Sequence, residues 1–353
     1  MRTNLTSQIT LNRVSTKYYK PENAVERSVL TRFEKVPTDI YESVDEGVAH
    51  IANEIAGRIQ DRQREGKFFV IGAGTGASLR PLYAELVRKH KDEGLSFRNV
   101  VIFNLYEYYP LAPESAGSSF AQLKELLVDQ IDIDKQNVFT IDGSIPQEAI
   151  LEYCRLYEQR LQTFGGMDIV LMGIGREGNI AMNEPGSNLN SPTRLILMNA
   201  TSKAEAGHNL GIDNLPPCSI TMGVSTIMGA RKIYLLAWGE NKADIIRKAV
   251  EEKVSDTLPA SYLQMHNNVN VCIDLSAAAH LTRIQRPWLV TNCEWNDKLI
   301  RSAIVWLCLR LNKPILKLTN KDYNENGLSE LLALYGSAYN VNIKIFNDLQ
   351  HTI

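Results

Sequence analysis

The chain has 353 residues, 44% of them hydrophobic and 22% charged, with a formal net charge of -2. That length suits one large α/β domain or two smaller ones, and the balanced charge gives no electrostatic case for a nucleic-acid or membrane partner. The five cysteines (Cys154, Cys218, Cys272, Cys293, Cys308) form no CxxC pair, and the six histidines form no HxxxH or HExxH arrangement. This pattern argues against a disulfide framework or a metal site and for reduced thiols in a cytoplasmic protein. No run is apolar enough to span a bilayer, and the start, MRTNLTSQITLNR, has no signal-peptide core.

Residues 1–37 are polar and mixed and read as an N-terminal arm, with a short irregular segment at Thr31–Val36. From Asp39 to Arg64, Val44, Val48, Ile51, Ile55 and Ile59 recur three or four apart, which predicts a helix ended by Gly66. Phe68–Ile71 reads as a buried strand that opens into Gly72–Ser78, followed by a helix from Leu79 to His90. The unit then recurs. Strand Val100–Phe103 leads to the polar turn Asn104–Tyr108 and a helix over Ser119–Asp129; a short strand at Asn137–Ile141 leads to a helix over Gln147–Phe164. Strand Asp168–Met172 runs into LMGIGREGNIAMNEPGS, whose polar part spans Gly173–Ser187. Ser219–Gly223, Ile233–Ala237 and Asn270–Ile273 read as further strands, with Val224–Met228 and the stretch after Trp238–Lys242 helical.

Strands alternating with such helices predict a three-layer α/β/α Rossmann-like domain over residues 38–285, built on a mostly parallel sheet. After Arg286-Pro287 the texture changes. Trp295–Leu311 and Leu328–Tyr335 read as helices, Ile315–Leu318 and Asn342–Phe346 as strands, so residues 286–353 are expected to form a small α/β extension. Asp348–Ile353 has no helix stop and reads as the cut end of a longer chain.

Four polar loops follow strands: Gly72–Ser78, Asn104–Tyr108, Gly173–Ser187 and Trp238–Lys242. In a parallel sheet such ends share one edge, so they converge on one crevice. The first precedes a helix, where exposed N–H groups and the helix dipole favour an anion. It is not GxGxxG, since position 77 is alanine, and no GK[ST] follows. A tight turn without a ligand is the competing reading. Glu107 sits between tyrosines, where a solvated carboxylate is the simpler reading; Lys242 is either a surface lysine or an anion partner in the crevice. Glu184, in a turn just after Ile180-Ala181-Met182, is less expected as a purely structural carboxylate.

FFVIGAGTGAS, FRNVVIFNLYEYYPL, MDIVLMGIGREGNIAMNEPGS, SPTR, SITMGVSTIMGARKIYLLAWGENKA and LPASYLQMH together resemble the glucosamine-6-phosphate deaminase (isomerase) family, in family order from residue 38 to residue 285. The segment from Pro287 resembles the extension of a longer bacterial subgroup, in which a deacetylase-like domain of the LmbE type often follows. The resemblance implies a sugar-phosphate substrate, no metal or organic cofactor and a homo-oligomer. It also implies a reaction that opens the ring of glucosamine 6-phosphate, moves a proton between C2 and C1 and releases ammonia. Carried over by position, Gly74, Thr75, Gly76, Ala77, Ser78 and Lys242 hold the phosphate, and Glu184 matches the carboxylate of the ring-opening relay. The other positions depart. Tyr106 stands where the family has its proton-shuttle aspartate, and Asn179 replaces the relay histidine. Glu177 aligns with the acid that orients the relay, and Glu107 remains as a neighbouring carboxylate. His208 aligns with a phosphate-clamping arginine. Ser187 and Arg194 match residues that bind an allosteric sugar phosphate, but the lysine two residues on is Ile196.

Asparagine cannot relay a proton, and a phenol is a poor base near neutral pH. Three functions follow from the resemblance: an isomerase or deaminase with reduced or altered chemistry, a non-catalytic phosphosugar sensor or regulatory subunit, and an assembly platform for a deacetylase-like partner.

Overall fold

The computed structural model describes residues 14–115, 117–210 and 215–350. The polar N-terminal stretch before residue 14 and the chain end after residue 350 lie outside them. The chain divides into two compact units, residues 34–279 and residues 14–33 with 280–350.

The described residues of the first unit form the strands β1 (Thr38–Tyr41), β2 (Phe69–Ala73), β3 (Val100–Asn104), β4 (Tyr106–Tyr109), β5 (Val138–Phe139), β6 (Ile169–Met172), β7 (Arg194–Leu197), β8 (Cys218–Thr221), β9 (Ile233–Ala237) and β10 (Val269–Asp274). Seven of them pair in parallel in the order β1-β10-β9-β6-β2-β3-β5. Every residue of β2, β3 and β9 is buried, as a sheet covered on both faces requires. On one face Phe69, Ile71, Val100 and Ile102 share a core with Ile51, Ile55 and Ile59 of the helix Val44–Arg64 and with Leu82 and Leu86 of the helix Arg80–Glu93. The next residue along β3, Phe103, packs edge-on against Tyr157 of the helix Ile150–Thr163, whose hydroxyl donates to Asn104 O and Phe139 O. From β2 the chain winds outward through β3 to β5, then returns to β6 on the other side of β2 and winds the opposite way. The strand order therefore reverses between β2 and β6, and a crevice forms at their carboxyl ends. The Rossmann-like α/β architecture predicted for this region is the one found.

Several local expectations differ. Thr38–Tyr41 is a strand, not the first turn of a helix. Ser43 caps the helix by accepting from Glu46 N, so the helix starts at Val44. Asn104–Tyr108 is not a loop: Tyr106–Tyr109 is β4, paired antiparallel with β8, which pairs in turn with β7 in a separate three-stranded sheet. Burial of Tyr106, Glu107 and Tyr108 explains why a stretch that reads as a polar turn is extended. The strand Arg194–Leu197 and the helix Ala200–Leu210 were not expected at all.

The second unit is helical, not α/β. Ile315–Lys317 is a single 3-10 turn, and Asn342–Phe346 lies inside the helix Ala338–Gln350. Its buried Ala338, Val341 and Ile345 recur at three and four, a helical period hidden by β-branched neighbours. They pack with Ile300, Ile304 and Leu307 of the helix Asp297–Leu311. Residues 14–33, expected as an arm of their own, belong to this unit: Tyr18 and Leu30 pack with Val290.

Candidate functional site

A cleft of about 460 Å³ opens beyond the carboxyl ends of β2 and β6. One wall is the turn after β2. Gly74 N donates to Leu171 O of β6, and Tyr83 Oη donates to Gly74 O at 2.6 Å, so strand and following helix hold the turn between them. Ala77–Leu79 make a 3-10 turn that passes into the helix Arg80–Glu93, and Trp238 Nε1 donates to Ser78 O. Gly74, Thr75, Gly76, Ala77 and Ser78 all line the cleft.

The second wall is the loop after β6. Gly175 N donates to Asn179 O, and Gly178 N to Gly175 O, which closes a tight turn. A Cβ on Gly175 would lie 1.8 Å from Asn179 Oδ1. Gly178 has φ +78°, and a Cβ there would lie 2.1 Å from Leu258 Cδ1. Gly178→Ala is expected to destabilise the first unit by roughly 1–3 kcal/mol, through the left-handed backbone and the displaced leucine. Urea denaturation checks this, and an unchanged midpoint would remove the argument for glycine here. Asn183 ties the far side of the loop to the second sheet, its Nδ2 donating to Ile180 O and Met222 O.

Tyr106, Asn179, His208 and Lys242 also line the cleft. Tyr106 Oη lies 3.0 Å from Thr75 Oγ1, which lies 2.8 Å from Ser119 Oγ. Burial pushes the Tyr106 phenol up from its ordinary value, although Thr75 and Ser119 work against the shift. Asn179 is buried, and its Oδ1 has no hydrogen-bond partner. Lys242 Nζ donates to Ile174 O at 2.8 Å and pairs with Glu205 Oε1 at 2.9 Å.

Five sequence candidates do not line the cleft. Glu107 is fully buried. Its Oε1 accepts from Tyr108 N and Ser119 N, and its Oε2 from Ser118 Oγ and Phe120 N. It holds the start of the helix Ser119–Leu126. Burial raises its pKa, against the pull of the donors. Glu177 and Glu184 share a partner: Asn199 Nδ2 lies 2.5 Å from Glu177 Oε2 and 2.7 Å from Glu184 Oε2. Ser202 Oγ, on the cleft wall, donates to Glu184 Oε2 at 3.0 Å. Glu184 Oε1 is buried without a partner, and burial raises this carboxyl, while the Ser202 and Asn199 hydrogen bonds lower it. Ser187 and Arg194 contact each other, Nη2 to Oγ at 2.9 Å, and Arg194 Nη1 donates to Asn183 Oδ1.

The helix Ala200–Leu210 contributes the residues that sequence reasoning missed. Ser202, Glu205 and His208 recur every three residues and all line the cleft. Asn199 Oδ1 accepts from Ser202 N, a helix-start signal that was readable as Asn199 before the Ala-rich run ATSKAEA. No helix among the described residues is long and apolar enough to cross a membrane. Nor do those residues include a group of three or more His, Cys, Asp or Glu placed to hold a metal ion.

A doubly wound parallel sheet with a glycine turn and a buried lysine at its switch point defines an α/β domain of the Rossmann-like class. The family model for glucosamine-6-phosphate isomerases/6-phosphogluconolactonase matches residues 42–272. The chain belongs to that family. It is 68% identical over 354 residues to a glucosamine-6-phosphate deaminase-like protein of Bacteroides thetaiotaomicron, an alignment that covers 100% of this chain and 53% of that protein. The chain thus spans about half the length of that relative. It is 37% identical over 239 residues to the glucosamine-6-phosphate deaminase of Bacillus velezensis, covering 67% of this chain and 95% of that one. Among solved structures, a monomeric glucosamine-6-phosphate deaminase superposes with TM-score 0.66 at 31% identity, over 69% of this chain and 99% of that chain. The 6-phosphogluconolactonase of Trypanosoma brucei shares the fold, with TM-score 0.57 at 20% identity over 70% of this chain and 99% of that chain.

Proposed function

We propose that the first unit binds an amino-sugar phosphate in the cleft and deaminates it much more slowly than its deaminase relatives do. The observation that carries this reading is the pair of side chains facing the cleft where the family moves protons. Asn179 is a buried amide with no titratable proton, and Tyr106 is a phenol raised by burial and tied to Thr75. A positioned acid or base supplies roughly 10²–10⁴-fold each, so losing two leaves little family-type turnover. What remains supports binding. The turn Gly74–Ser78 can receive a phosphate at the start of a helix. Glu184, whose carboxyl burial raises from its ordinary value and which Ser202 links to the cleft, remains as the carboxyl at the position of the ring-opening relay. In the family reaction the ring-opening proton goes to the ring oxygen as the C1–O bond breaks. A proton then leaves C2 and one is delivered to C1; water adds, ammonia departs and fructose 6-phosphate remains. The C2–C1 step is the one this chain is left least able to perform.

The test is ammonia release from glucosamine 6-phosphate, side by side with the Bacillus velezensis protein. A rate at least about 100-fold lower is expected. In parallel, millimolar glucosamine 6-phosphate should raise the melting temperature of the wild type. Equal turnover by the two proteins would sink the reading.

A further inference from the structure

The cationic end of the cleft already carries an anion of its own. Lys242 and Glu205 pair at 2.9 Å with side chains only 11% and 17% exposed. The remaining contacts tighten the arrangement. Lys242 Nζ donates a second hydrogen bond to Ile174 O, Glu205 Oε2 accepts from Arg176 N at 3.1 Å, and Arg176 Nε stands 3.9 Å from Glu205 Oε1. An ammonium has three N–H donors, so two are in use before a ligand arrives. The other basic side chains lining the cleft, Arg80, Arg176 and His208, are exposed, where water and salt weaken any pull on an anion. Screening is least at the buried pair. A phosphate entering this end must displace the Glu205 carboxylate from Lys242 or lie beside it as a like charge.

We infer that Glu205 is a specificity-determining residue: its carboxylate takes the seat on Lys242 that a ligand's phosphate would use. The cleft therefore gains little affinity from a phosphate and discriminates poorly between a phosphorylated sugar and its unphosphorylated form. The inference rests on the reading that the cleft takes an amino-sugar phosphate. Glu205 lies three residues after Ser202 and three before His208 on one helix, so its approach to Lys242 is fixed by the wall of the cleft itself.

Isothermal titration with glucosamine 6-phosphate and with glucosamine tests it on the full chain. The amine is common to both ligands, so the ratio of affinities isolates the phosphate. Glu205→Gln and Glu205→Ala should each bind glucosamine 6-phosphate at least about tenfold more tightly than the wild type, with glucosamine changed by less than about twofold. Adding Lys242→Met to Glu205→Gln should remove the gain. Melting curves establish that each variant is folded, and the near-isosteric glutamine serves if alanine does not fold. Wild-type binding of glucosamine 6-phosphate with no gain in either Glu205 variant overturns the inference alone. An equal gain for both ligands also overturns it, since that would show a general opening of the cleft. No binding of glucosamine 6-phosphate by any variant overturns both the inference and the reading beneath it.

Discussion

Glu107→Ala should lower the unfolding free energy of the first unit by roughly 3–5 kcal/mol, although the residue does not line the cleft. The carboxylate is fully buried and collects four donors, three backbone N–H groups and the Ser118 hydroxyl. Two of those N–H groups, on Ser119 and Phe120, belong to the first turn of a helix, where no carbonyl of the helix itself can accept. Alanine would leave these donors buried and unpaired, at about 1–3 kcal/mol each before the cavity relaxes or fills with water. Glu107→Gln should also be costly, because its amide can accept on one side only and turns a donor toward N–H groups on the other. Urea denaturation followed by the far-ultraviolet helix signal measures both. A loss below about 1 kcal/mol for alanine would show that the four contacts are dispensable and return Glu107 to the list of functional candidates.

This residue also shows where the sequence was readable and where it was not. Runs such as Val100–Phe103 and Ile233–Ala237 are short, continuously apolar and followed by polar turns, so strand position and direction could be inferred from them. The convergence of Gly74–Ser78 and Lys242 at one crevice followed from the βα alternation alone. Glu107 looked like part of a polar loop because a sequence does not show which carboxylates are matched by buried donors. Only the pairing of β4 with β8 brings it to the start of the helix Ser119–Leu126. The helix Ala200–Leu210 escaped notice because its face toward the cleft is polar, Ser202, Glu205 and His208, so no apolar stripe marks it. At Asn342–Phe346 the alternation of polar and branched apolar residues mimicked a strand. The choice between periods is settled by contacts of Val341 and Ile345 with residues more than thirty positions away.

The double replacement Tyr106→Asp/Asn179→His should raise ammonia release from glucosamine 6-phosphate by about 10²–10⁴-fold over the wild type, more than either single change. Both positions face the same cleft as Lys242 and the Gly74–Ser78 turn, so the introduced groups would meet a ligand held there. Aspartate at 106 would replace a phenol raised by burial with a carboxylate that is ionised near neutral pH, a competent base for the C2 proton. Histidine at 179 would put a titratable group where a buried amide now has an unpaired Oδ1. A proton taken from C2 must be delivered to C1 and another exchanged at the ring oxygen. The two changes therefore act in series, and the gains of the single variants should not add up to that of the pair. A restored rate would place the loss of chemistry at these two side chains within an intact pocket. If the double variant is folded, binds glucosamine 6-phosphate and releases no more ammonia than the wild type, the defect lies elsewhere. The Glu205–Lys242 pair, on the same cleft, is then the first place to look.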